Sequence, residues 1–311
     1  MIAFGPVPSR RLGKSLGINN IPPKICSYSC IYCQLGSGFP PRRERGAFYS
    51  PERVYDEVRV KIEQAKRRDA AIDFLTFVSD GEPTLDSNLG DEIELLKPLN
   101  IKIAVISNTS LLSDESVRND LLKADWVSLK MDSTQESVWR KINRPHKSLR
   151  LVEILDGASE FARIYRGELV TETMLVEDVN DGVKNMEDLA VFLERLAPAK
   201  AYISIPIRPP ALKNVRRPPE TIINRAYQTL KSRVGQVECL VGYEGNEFAF
   251  TGNIEEDLLS ITAVHPMRED AVEEYLRKAN AGWSCVQNLL DRKELIKTRY
   301  ENKTFYVRTL D

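Results

Sequence analysis

The chain has 311 residues, 42% hydrophobic and 29% charged, a composition ordinary for a soluble globular protein with a sizeable core and too apolar for a disordered one. No apolar run approaches a membrane span and the N-terminus lacks a signal-peptide pattern, so the cytoplasm is the expected compartment. Five cysteines, three of them clustered, argue against a secreted disulfide framework, and the net charge of −1 hides a split of −5 over residues 236–311 and +4 over residues 1–235.

In chain order, residues 5–13 are rich in Pro, Gly and Arg and predict a loop. Leu16 to Ile21 is a short strand ending at Pro22-Pro23, which delivers the chain into a cysteine-bearing loop; residues 36–47 again predict a loop. A helix is expected from Pro51 with Ser50 as its cap, and Val54, Val58 and Ile62 mark its buried face. Strands are then expected at 72–78, 101–106, 126–131, 169–176 and 201–207. Helices follow near 91–97, at 114–124 behind a Ser113 cap, at 148–165, at 185–196 and after Pro218-Pro219. This alternation implies an α/β fold of parallel strands with right-handed crossovers. The last part differs: a strand at 259–264, helices at 268–279 and 284–292, then strands at 294–300 and 304–310. Helix, helix, hairpin outlines a winged helix, with a boundary near residue 250 that divides the chain into 1–250 and 251–311.

Cys26, Cys30 and Cys33 stand at C-x3-C-x2-C directly after the first strand. Cluster irons are usually held by four thiolates. A group of three leaves one iron of a [4Fe–4S] cluster without a protein ligand, where a cofactor can bind. The alternative is a zinc knuckle or a set of buried thiols. Zinc requires a fourth Cys or His at characteristic spacing, and Cys239, Cys285, His146 and His265 all lie far along the chain.

The pattern C-x3-C-x-Φ-C, with aromatic Tyr32 before the last cysteine, resembles the signature of the radical S-adenosylmethionine (radical SAM) superfamily. Residues 5–13 and Cys33-Gln-Leu-Gly36 resemble its wyosine-synthetase-like iron–sulfur oxidoreductase branch. The resemblance implies a partial (β/α)6 TIM-type barrel, here followed by the winged-helix-like domain. It implies a [4Fe–4S] cluster on Cys26, Cys30 and Cys33 with Tyr32 beside it, S-adenosylmethionine on the open iron, and a reduced electron donor of the ferredoxin or flavodoxin type. Gly81-Glu82-Pro83 resembles the segment that meets the amino group of the cofactor's methionine, with Asp80 in place of the family's first glycine. Lys130-Met-Asp132 resembles the ribose-contacting segment, and Ile205 falls where family members offer backbone to adenine. From the residues alone, Ser107 and Asn108 could bond a carboxylate or ribose or serve as ordinary turn groups. Glu172 is an odd charge in an apolar strand, and buried carboxylates are rare unless partnered. The implied chemistry is reductive cleavage of the sulfonium to a 5′-deoxyadenosyl radical that removes a substrate hydrogen atom. That step needs no side-chain acid or base, so no catalytic side chain is assigned.

Basic side chains at Arg10 and Arg11, at Arg42, Arg43 and Arg45, at Arg140, Arg144, His146 and Lys147, and at Arg208, Arg216 and Arg217 suit a phosphate-bearing substrate, tRNA included. Wyosine chemistry itself is not expected, because no cysteine precedes Cys26 to hold a second cluster. Two other readings stand beside this one: a radical SAM enzyme that modifies a peptide or protein, and a non-catalytic metal-binding regulator whose winged helix reads DNA. Cys239 and Cys285 are expected to be core residues.

Overall fold

The computed structural model describes residues 2–36, 40–240, 248, 252–264 and 266–309. Two strands open the chain: β1 (Ala3–Ser9) and β2 (Gly13–Ile18) form an antiparallel hairpin with a register shift between Phe4 and Val7. The loop predicted at 5–13 is therefore most of an edge strand and its turn. Proline is tolerated there because an edge strand has ladder positions to spare, and more so at a bulge. The predicted loop at 36–47 is irregular where described, and positions 37–39 lie outside the described residues.

Helix α1 (Pro51–Lys66) starts where Ser50 Oγ accepts from Arg53 N, and Val54, Val58 and Ile62 are buried along one face. The alternation expected from the sequence follows: β3 (Phe74–Phe77), α2 (Leu89–Leu96), β4 (Lys102–Ser107), α3 (Glu115–Leu121), β5 (Trp126–Lys130), α4 (Glu136–Asn143), α5 (Leu151–Ile164), β6 (Glu168–Met174), α6 (Val183–Leu196), β7 (Lys200–Ser204), α7 (Glu220–Lys231) and β8 (Val237–Leu240). Asp114, one residue past the predicted Ser113, caps α3 by accepting from Ser116 N. Helix α4 and strand β8 are additions, each too short to impose a period on the sequence.

All eight strands form one sheet in sequence order, with β2 to β8 parallel. The sheet curls. Arg10, in the turn between β1 and β2, donates to Leu240 O at the end of β8, and Leu12 packs among Ala104, Trp126, Val170, Tyr202 and Leu240. A turn at one edge reaches the strand at the other only if the sheet bends round between them. The result is an open partial barrel floored by this turn. The outward face (Leu75, Phe77, Val105, Val127, Leu129, Ile203) carries the main core beneath the helices.

Beyond the barrel come α8 (Ile254–Val264), β9 (Met267–Arg268), α9 (Glu269–Lys278), α10 (Ser284–Asp291), β10 (Leu295–Tyr300) and β11 (Lys303–Arg308). The strand predicted at 259–264 is the second half of α8. Its apolar residues look strand-like in isolation, but Leu258 and Ile261 are buried at helical spacing, and Asn253 Oδ1 accepts from Glu256 N at the helix start. The three short strands pair in the order β10-β11-β9, which completes the winged-helix outline. Positions 250 and 251, where the boundary is expected, together with His265 and Leu310, lie outside the described residues. This part has its own core around Leu258, Met267, Tyr275, Leu289 and Tyr306, with Val7 of β1 packed against it. Its hairpin also reaches the barrel mouth: Tyr300 OH donates to Pro206 O (3.1 Å), and Glu301 pairs with Arg217 (3.1 Å).

Candidate functional site

The loop after β2 carries the three thiols, and all three line one cavity of about 280 Å³. Its other walls come from strand ends: Ser79, Asp80 and Gly81 after β3, Lys130 from β5, Glu172 and Met174 from β6, with Tyr28 and Tyr32 from the cysteine loop itself. Backbone bonds strap the loop on three sides. Lys24 N donates to Asp80 O and Glu82 N to Ile25 O, Arg42 N donates to Cys26 O, and His146 N donates to Ser27 O. Ser29 N and Ile31 N donate to Asn143 O and Ile142 O at the end of α4. Gly81 is required by this closeness, since a Cβ there would stand 1.9 Å from Ile25 O.

Of the residues nominated from the sequence, Cys26, Cys30, Cys33, Tyr32, Gly81, Lys130 and Glu172 line the cavity. Glu82, Pro83, Ser107, Asn108, Asp132 and Ile205 do not; of these, Asn108 and Asp132 bond lining residues directly, and Glu82 and Ser107 bond the groups behind them. The Glu82 carboxylate is spent on the fold: it is fully buried and accepts from Thr84 N, Thr84 Oγ1 (2.6 Å), Ser107 Oγ (2.8 Å) and Asn108 N (2.6 Å). Burial pushes its pKa up, and these donors pull it back. Through Glu82 the loops after β3 and β4 become one unit, which hands Asn108 Nδ2 to Ser27 Oγ (2.9 Å) and Cys26 Sγ (3.4 Å). Asp132 is likewise engaged, accepting from Tyr32 OH, from Asn143 Nδ2 (2.7 Å) and from Met174 N (2.8 Å). Asn143, which the sequence reading did not single out, also reaches Cys30 Sγ (3.5 Å).

Glu172 is partnered, as a buried carboxylate must be. Lys130 Nζ lies 3.1 Å from its Oε1, Ser204 Oγ donates to the same oxygen at 2.9 Å, and Arg11 pairs with Oε2 from the floor turn. Lys130 also sits over the Tyr32 ring at 5.1 Å, and burial lowers its pKa. Asp80 is 3% exposed; burial pushes it up to about 7, opposed by the charge of Arg308 in β11. No pattern in the sequence marks Asp80 as part of a cavity wall, beyond its replacing a glycine.

The basic residues divide. Arg10 and Arg11 are in the floor rather than on a rim, Arg45 is held by Thr84 O, Asp86 O and Asp120, and Arg208 is buried against Gln34 Oε1. Arg43, Arg144, Lys147 and Arg216 are exposed.

Among the described residues no three Cys, His, Asp or Glu side chains close on a single metal ion, so the chemistry of the three thiols suits a larger thiolate-bound group. Three thiols converge on one cavity, and two of the sulfurs face side-chain amide N–H groups of Asn108 and Asn143. Burial raises all three thiol pKa values, Cys30 to about 12, so the thiolates need a cationic partner to persist. Besides these thiols, the lining carboxylates are Asp80 and Glu172, and the second of these is already paired. His146 comes beside the loop, but its ring bonds Ser148 Oγ and stays out of the cavity lining. Cys239 and Cys285 lie on β8 and α10, also away from the lining.

No helix among the described residues is long and apolar enough to cross a membrane. Residues 20–190 match the family model described as the radical SAM superfamily. A UPF0026 protein of Methanocaldococcus jannaschii is 47% identical over 311 residues, covering 99% of this chain and 96% of its own. Among solved structures, a radical SAM methyltransferase from Sphaerobacter thermophilus aligns with a TM-score of 0.55 at 15% identity, covering 73% of this chain and 66% of that one. The enzyme TYW1, solved with a lysine-pyruvate adduct bound, aligns at 0.54 and 17% identity, covering 71% and 74%. At those identities the structural likeness speaks for the partial barrel alone; the family model and the archaeal relative, together with the three-thiol cavity, place the chain as a UPF0026 protein of the radical SAM superfamily, a family of enzymes that carry a [4Fe–4S] cluster and use S-adenosylmethionine.

Proposed function

We propose that Cys26, Cys30 and Cys33 hold a [4Fe–4S] cluster in this chain and that S-adenosylmethionine binds beside it in the same cavity. The observation that carries this is the convergence of the three motif thiols on one cavity that also receives the Lys130–Glu172 pair. When bound, the cluster and its cofactor supply a 5′-deoxyadenosyl radical able to remove a hydrogen atom from a substrate carbon. The protein's part is placement. Lys130, desolvated and held by Glu172, offers a fixed positive charge to the cofactor's carboxylate. Gly81 lets the backbone after β3 come close to the cysteine loop, and Tyr28, Leu35, Val78 and Met174 give apolar walls that exclude water.

The substrate reading we favour is one that bears an anionic group. A second cavity of about 100 Å³ lies inside the barrel above the floor turn, lined by Ser9, Arg11, Ser15, Thr76 and Arg208, and Val78 borders both cavities. Two arginines beside hydroxyl groups suit a phosphate or carboxylate. A tRNA substrate is supported less well, because Arg10 and Arg45 are bonded inside the protein and Arg11 and Arg208 face an interior cavity rather than an outer surface that a phosphate backbone could lie along. The DNA-reading regulator is also disfavoured: its hairpin tip is engaged at Pro206 and Arg217.

Anaerobic reconstitution with iron and sulfide, followed by S-adenosylmethionine and dithionite, tests the proposal. About four irons per chain and 5′-deoxyadenosine from the wild type, with none from Cys33→Ala, are expected. Zinc as the bound metal, or a loaded cluster that yields no 5′-deoxyadenosine, would sink it.

A further inference from the structure

Residues 137–152 contain five lysines and arginines and no aspartate or glutamate. The middle of this stretch is the strap behind the cysteine loop. Asn143 O and Arg144 O accept from Ser29 N, Ile142 O accepts from Ile31 N, and Asn143 Nδ2 touches Cys30 Sγ at 3.5 Å. None of residues 137–152 lines the cavity, so the stretch meets the loop from outside. Arg140 and Arg150 pair with Glu136 and Glu153, and Lys141 Nζ donates to Asp178 O. Arg144 and Lys147 stand exposed between them, and Arg43 joins the patch through Ser148 Oγ.

From this arrangement we infer that the outer face of residues 140–150 is the docking surface for an acidic one-electron carrier protein. The inference rests on the cluster reading above. In the step it serves, the carrier loses one electron and the group held by the three thiolates gains it; no bond is made or broken. Electron transfer falls steeply with distance, and on this face one side chain separates an exposed position from a ligand sulfur: Asn143, next to exposed Arg144, contacts Cys30. Glu177 and Asp178 share a surface cleft with Lys141 and Arg144, and Glu44 is near His146, so the steering charge is that of exposed Arg144 and Lys147 with Arg43, which draws an acidic partner there and fixes its orientation. A nucleic acid would also be drawn to positive charge. But a substrate bound here would face the back of the cysteine loop, away from the cavity where the chemistry occurs. Placement therefore favours the carrier.

The test uses the reconstituted full-length protein with an acidic flavodoxin reduced to its hydroquinone. In Arg144→Glu/Lys147→Glu, the second-order rate of cluster reduction by flavodoxin is expected to fall at least about tenfold and to lose most of its salt dependence. Reduction by dithionite and affinity for S-adenosylmethionine should stay as in the wild type, which also shows that the variant is folded. The milder Arg144→Gln/Lys147→Gln pair should fall in between. Unchanged flavodoxin rates and affinity in the reversed variant would overturn the inference. So would loss of tRNA binding on a filter with flavodoxin kinetics intact, which would assign the patch to RNA. Calorimetric binding of flavodoxin is measured alongside. A wild type that takes up no cluster yet binds flavodoxin through these residues breaks the cluster reading and not the surface.

Discussion

Glu82 and Glu92 are ten residues apart, both fully buried, and in opposite situations. Glu82, between β3 and β4, accepts four hydrogen bonds and ties together the loops that floor the cysteine site. Glu92, on α2, has neither carboxylate oxygen in a well-formed hydrogen bond among the described residues; the Asn20 amide donates to Pro83 O and is only near enough to offset part of the burial. Asp86, which also repels it, leaves its own Oδ2 without a partner. A buried carboxylate can thus serve a fold in two ways: as a saturated anion that fixes loops, or as a neutral acid that tolerates a poor site by keeping its proton. The first is found next to the thiols, where fixed geometry matters. The second lies on the helix that follows.

The largest effect should come from breaking the saturated site. Glu82→Ala strands Ser107 Oγ, Asn108 N and the two Thr84 donors, and should cost about 3–5 kcal/mol in denaturant unfolding. Because Asn108 also contacts Cys26, iron uptake should fall with it. Glu82→Gln keeps an acceptor oxygen and should lose less. If Glu82→Ala unfolds at the wild-type denaturant midpoint, the carboxylate is not the clamp described here.

The neutral-acid site should show itself in the pH dependence of stability. Burial and the charge of Asp86 push Glu92 up to about 9, far above its unfolded value, and Asp86 itself to about 6. As pH rises above that unfolded value, the unfolded chain gives up the proton while the native state retains it, so stability falls. The loss is complete once pH passes the folded value near 9. Between pH 5 and 9 the decline attributable to Glu92 should be on the order of 2–4 kcal/mol, and Glu92→Gln should flatten it and leave the variant more stable than wild type at pH 9. Unfolding midpoints across that range decide it; equal slopes in the two proteins would refute a neutral Glu92.

This contrast also marks what the sequence makes legible. The thiol triad was legible because its spacing is local and its chemistry demands that spacing. Glu172 was legible as a charge in an apolar strand, and it proves to be a partnered one. Glu82 and Asp132 were legible as positions but not as roles: a sequence shows that a carboxylate follows a strand, not whether its oxygens turn to a ligand or to the loops behind. Asn143 left no trace because it ends an eight-residue helix whose two buried apolar residues, Trp139 and Ile142, set up no repeat. Arg10 and Arg11 looked like rim charges because a Pro- and Gly-rich stretch hides an edge strand. Only the curl of the sheet turns that strand's end into a floor.

The smallest expected effect concerns the second place where distant parts of the chain are tied by polar groups. The C-terminal hairpin meets the barrel mouth through Tyr300 OH on Pro206 O and through the exposed Arg217–Glu301 pair, while its apolar anchorage is elsewhere, where the C-terminal core packs on Val7 of β1. An exposed ion pair contributes little, and one neutral hydrogen bond to a carbonyl contributes about 1 kcal/mol. Tyr300→Phe should therefore lower global stability by no more than about 1 kcal/mol. The hairpin should nevertheless open locally more often, because its apolar contacts do not hold the tip. Hydrogen exchange at residues 299–304 should accelerate in the variant while exchange in β3 to β6 stays unchanged. Acceleration in both regions together would mean that the hairpin and the barrel open as one unit, and that the C-terminal part is core rather than an appended wall of the mouth.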